Sequence, residues 1–141
     1  ADALVELAAA LGSANEAGLG ARFKAETIFY IGRAHYIAGD LKKARANLNA
    51  AIKRNPRAAD AYYYLGQIEF EQEKFDAAFA AYKKAVEVDP SGNPRAWFYL
   101  GDVSSVLGKD ADAKKALKTY AEKFPNGANI QRVQEMLGKL K

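Results

Sequence analysis

The chain has 141 residues, half of them hydrophobic, with a formal net charge of +4, one histidine and no cysteine. That composition suits one compact domain or one repeat array with a real core and excludes a disordered tail. It also excludes disulfides, thiol nucleophiles and thiolate metal sites, and His35, as the lone histidine, makes neither a metal cluster nor a nucleophile pair.

The first predicted element lies over 1–20, where Leu4, Leu7, Ala8 and Leu11 recur at helical spacing before a break at "GLG" (18–20). Its apolar run, "ALVELAAAL", is far short of the roughly 20 residues of a membrane span, so no membrane insertion is expected. The chain opens on Ala with no charged segment and apolar core ahead of a cleavage site, which is expected of a mature exported protein or an excised fragment.

Beyond residue 25 one motif is written three times, as "IFYIG" (28–32), "YYYLG" (62–66) and "WFYLG" (97–101). Gly32, Gly66 and Gly101 are spaced by 34 and 35 residues, and Pro56, Pro90 and Pro125 repeat those spacings, with the extra residue in "PSGNPRAW". Each unit reads as an aromatic-rich first helix, a turn at "AGD", "EKF" or "LGKD", and an Ala/Lys-rich second helix closed by Pro. Hairpins are predicted near 22–54, 59–88 and 94–123, and Ile130, Val133, Leu137 and Leu140 give a last helix an apolar stripe. Lysines and arginines of the second helices are interspersed with acids and read as a solvated outer face.

These units resemble the tetratricopeptide repeat (TPR). The family pattern is met by Ile28, Ile31, Gly32, Ala44, Leu48, Ala51 and Pro56, and by Tyr62, Leu65, Gly66, Ala78, Tyr82, Ala85 and Pro90. The third copy supplies Trp97, Leu100, Gly101, Ala113, Leu117 and Pro125, with Tyr120 where a small residue is usual, so its second helix is expected to pack further out. The resemblance implies an all-α, right-handed superhelical α-solenoid with terminal capping helices. Its units are an N-terminal helix over 1–20 (a cap or the end of a preceding repeat), repeats over 25–58, 59–92 and 94–127, and a C-terminal capping helix over 128–141.

In this family first helices line a concave inner face. Tyr62, like Ile28 and Trp97, is then expected in the core between helices, while Tyr63 and Tyr64 turn toward the groove. The candidate groove residues are Phe29, Tyr30, Arg33, Tyr36, Tyr63, Tyr64, Gln67, Phe70, Arg95, Phe98, Tyr99 and Asp102. Tyrosine rings offer flat apolar area plus a hydroxyl, features enriched in interface anchors. The family's carboxylate clamp for chaperone tails is not matched, because Phe29, Arg33 and Tyr64 stand where Lys and two Asn are expected and Arg95 alone fits.

The function implied is a non-enzymatic scaffold that binds a peptide or helix of a partner protein and needs no cofactor. The alternative is a structural or self-associating module at the end of a longer array, a homo-oligomer included. Nucleic acid is not an expected partner, since the mild net charge lacks a one-faced basic field and the bases lie mostly off the aromatic face. "TYAEKFPNGANIQRVQEMLGKL" (119–140) is similar to the final segment of bacterial cell-envelope repeat proteins, which favours the envelope or periplasm over the cytoplasm.

Overall fold

The structure, a computed structural model, describes residues 21–140; the expected helix over 1–20 lies outside them. The described residues form seven helices and no strand. These are α1 (Ala21–Ile37), α2 (Leu41–Arg54), α3 (Ala59–Glu71), α4 (Phe75–Val88), α5 (Pro94–Val106), α6 (Asp110–Lys123) and α7 (Ile130–Lys139). Each helix packs on its sequence neighbours, and α1 also touches α3, the nearest-neighbour pattern of a repeat array.

The hairpin turns are chemically alike. At the end of α1 the Gly39 N–H bonds the Tyr36 carbonyl and the Asp40 N–H reaches back to His35, each at 3.0 Å. Glu73 and Lys74 repeat this on Phe70 and Glu69 after α3, and Gly108 and Lys109 on Ser105 and Ser104 after α5. This paired pattern satisfies the orphan carbonyls of a helix end and needs a left-handed residue at its centre. Gly39 (φ 84°) and Gly108 (φ 69°) adopt that conformation without a Cβ clash, whereas Glu73 (φ 57°) adopts it with a side chain. Asp40 caps α2 by accepting from the Lys43 N–H at 3.1 Å, and Asn93 caps α5 through the Arg95 N–H at 3.1 Å with Pro94 opening the helix.

Within each hairpin the two helices close over glycine. A Cβ at Gly66 would lie 2.6 Å from the Tyr82 ring and one at Gly101 2.5 Å from Leu117, while at Gly32 the nearest atom, of Leu48, is 3.1 Å away. Ala44, Ala78 and Ala113 are buried on the facing helices. The core divides into three clusters along the array. Ala44, Leu48, Ala61 and Ile68 join the first two hairpins, Tyr63, Tyr82, Val86, Leu100 and Val103 join the second and third, and Leu117, Tyr120, Val133 and Met136 seat α7.

Two side chains depart from expectation. Tyr62 and Trp97 are only half-buried, because each ring's polar end bonds a carbonyl in the loop before it: Tyr62 Oη donates to Pro56 O at 3.2 Å, and Trp97 Nε1 to Pro90 O at 2.7 Å. Ile28, with no polar end, is buried as expected. Tyr120 is 1% exposed, fills the space against Phe98, Phe124 and Val133, and accepts from the Asn129 N–H at 3.0 Å.

Candidate peptide-binding groove

Aromatic side chains of α1, α3 and α5 form one connected set of rings. Tyr64 lies 5.9 Å from Phe29 and 5.4 Å from Tyr36 on the preceding first helix. Tyr99 repeats the arrangement one unit on, 6.3 Å from Tyr63 and 6.0 Å from Phe70, and stacks on Tyr82 at 5.8 Å with the planes 16° apart. Tyr64 and Tyr99 therefore act as wedges between repeats, each half-buried. Tyr30, their counterpart in α1, is 47% exposed.

Tyr63 is 1% exposed and belongs to the core of the middle repeat, although its position reads as inward-facing. Its neighbours cover it: the Arg95 guanidinium sits 5.1 Å from its centroid, and Tyr64, Tyr82 and Tyr99 surround the ring. Burial pushes its hydroxyl pKa up to about 12 against the lowering effect of Arg95. Arg33 is held similarly, 5.9 Å over Tyr64. Phe98 is half-buried beside Tyr99 and Tyr120.

The polar groups fall into two states. Tyr36 Oη donates to Glu71, and Tyr82 Oη to Gln67 Oε1. Burial raises both hydroxyl pKa values, helped at Tyr36 by Glu71 and at Tyr82 by the nearby tyrosine hydroxyls and Asp102. Asp102 is half-buried; desolvation lifts its pKa above the ordinary 3.8, and Arg132 on α7 partly offsets the rise. A cleft of about 330 Å³ lies between the N-terminal parts of α1 and α3, with Phe29 and Tyr30 on one side and Arg57, Ala58 and Asp60 on the other.

Two contributors escaped the sequence reading. Tyr82 stands where Leu48 and Leu117 stand in the other copies, and a tyrosine at a core position signals a hydroxyl needing a partner, here Gln67. Arg45 of α2 pairs with Glu69 of α3 at 2.9 Å and donates to Gln72 at 2.7 Å, a clasp between repeats with no period to betray it. Of the second-helix cations read as a solvated outer face, Lys42, Lys53, Lys83, Lys84, Lys115 and Lys118 are exposed, whereas Lys114 is half-buried and Arg45 is half-buried in that clasp. Among the described residues no three metal-ligating side chains group together, and no helix is long and apolar enough to cross a membrane.

An array of stacked helical hairpins defines a class, the α-helical repeat proteins. Two tetratricopeptide repeat family models match residues 31–93 and 69–137. The chain belongs to the tetratricopeptide repeat family. It is 30% identical over 94 residues to tetratricopeptide repeat protein 21B of Homo sapiens, a match covering 65% of this chain and 7% of that protein. Among solved structures it is similar to the Yersinia enterocolitica type III secretion chaperone SycD in complex with a peptide of the translocator YopD. That likeness has a TM-score of 0.71 at 20% identity and covers 82% of this chain and 90% of the other. The TPR2B domain of yeast Sti1, in its complex with pHsp70, gives 0.71 at 24% identity, covering 82% and 94%.

Proposed function

We propose that this chain is a non-enzymatic protein-interaction scaffold that holds a peptide or helical segment of a partner on the inner face of α1, α3 and α5. The observation that carries the reading is the interlocked set of rings on those helices. Rings fixed by one another present apolar area and hydroxyls with little ordering cost on binding, so a micromolar affinity, about 8 kcal/mol, is within their reach. The peptide complex of the similar SycD and the pHsp70 complex of the similar Sti1 domain support the same use of the fold.

Tyr30 is the ring to test, because its exposure separates binding from folding. Tyr30→Ala should weaken capture of partners from a lysate and leave the thermal melt within about 1 kcal/mol of wild type. Unchanged capture of every partner by Tyr30→Ala and by Phe98→Leu would contradict a groove at these residues.

Tyr30 also favours a second reading. Its counterparts Tyr64 and Tyr99 are covered by the preceding repeat, so a bare Tyr30 suits a face that receives another helical hairpin, as in a self-associating array. Sedimentation across a concentration range distinguishes the two, since Tyr30→Ala would then abolish concentration-dependent association.

A further inference from the structure

Asp102 is half-buried and is the one carboxylate among the candidate groove residues. Glu71 is bonded by Tyr36, and Glu69 by Arg45, but among the described residues no hydrogen bond or ion pair reaches Asp102. Arg132 is near enough to favour its charge, yet that guanidinium pairs instead with Glu135 at 3.4 Å. The two arginines on the inner face do not compete for it, since Arg33 and Arg95 lie over the Tyr64 and Tyr63 rings.

The Tyr82 hydroxyl, on a fully buried ring, donates to Gln67 Oε1 and does not bond Asp102. Phe98 and Tyr99 precede Asp102 by four and three residues on α5 and so share its side of the helix. A half-desolvated anion beside two rings matches a side chain with an apolar stem and a cationic, donor-only head.

Resting on the groove reading, we propose that the partner segment carries a lysine or arginine side chain whose cation pairs with Asp102 while its stem lies along Phe98 and Tyr99. The groove's charge preference is then opposite to that of a site for an acidic tail. Asp102 gains on binding a directly bonded counter-charge, which no described residue supplies.

The probe is a random dodecapeptide library displayed on phage and selected on the wild-type protein, with affinities of the selected peptides measured by fluorescence anisotropy on wild type, Asp102→Asn, Asp102→Lys and Phe98→Leu. Wild type should select peptides enriched in Lys or Arg next to apolar residues. Their affinity should fall about tenfold or more on Asp102→Asn. A second selection on Asp102→Lys should favour Asp or Glu instead. Peptides without a Lys or Arg excess, or binding Asp102→Asn as tightly as wild type, overturn the proposal; if those same peptides still weaken on Phe98→Leu, the groove stands without its cation site. Peptides indifferent to all three substitutions, or no selected peptide at all, overturn both. Asp102→Asn should melt cooperatively, and a variant that does not would assign Asp102 to the fold and overturn its binding role.

Discussion

At the residue scale, the three adjacent tyrosines of α3 divide the work by what covers them. Tyr62 anchors the preceding loop through its hydroxyl, Tyr63 is sealed under Arg95 and Tyr99, and Tyr64 wedges against α1. Tyr63→Ala removes a fully buried ring and should cost about 3–5 kcal/mol, in the range of other large aromatic deletions from cores. Tyr62→Phe loses one exposed hydrogen bond and should cost about 0.5–1 kcal/mol. Chemical denaturation of the two variants checks the order. A larger loss for Tyr62→Phe would mean that the helix faces are misassigned.

The 34- and 35-residue spacings and the glycine positions made the hairpins legible, because close helix approach at Gly66 and Gly101 admits no Cβ. The division among Tyr62, Tyr63 and Tyr64 was not legible. In a repeat array a first helix is covered from two sides, here by α4 and α5, so its buried arc is wider than one stripe and the next repeat decides which ring is sealed. Asp102 was placed by its register with Arg33 and Gln67; its missing partner shows only in three dimensions.

At the element scale, the three helix ends use one backbone solution with unequal residues at its centre. Glu73 holds the left-handed conformation that Gly39 and Gly108 hold without strain, and its side chain is exposed. Glu73→Gly relieves that strain but adds freedom to the unfolded chain, so a net gain of about 0.5–1 kcal/mol is expected. An urea titration with an unchanged m-value and a raised midpoint would bear this out, whereas a lowered midpoint would show that Glu73 makes a compensating contact.

At the scale of the whole molecule, each described helix packs chiefly on its sequence neighbours, so corresponding residues of successive first helices lie about one repeat apart in sequence. The outer face carries exposed lysines, and the C-terminal end is covered by α7 through Val133 and Met136 against Leu117 and Tyr120. A partner that used the fold as proposed would touch residues about one repeat apart in sequence and skip the second helices between them. Backbone amide shifts in ¹⁵N–¹H spectra, followed while a library-selected peptide is titrated in, read that pattern directly. The account predicts shifts confined to the inner face around Arg33, Gln67, Phe98 and Asp102, with Lys53, Lys84 and Lys118 unmoved; shifts centred on those outer lysines would contradict it.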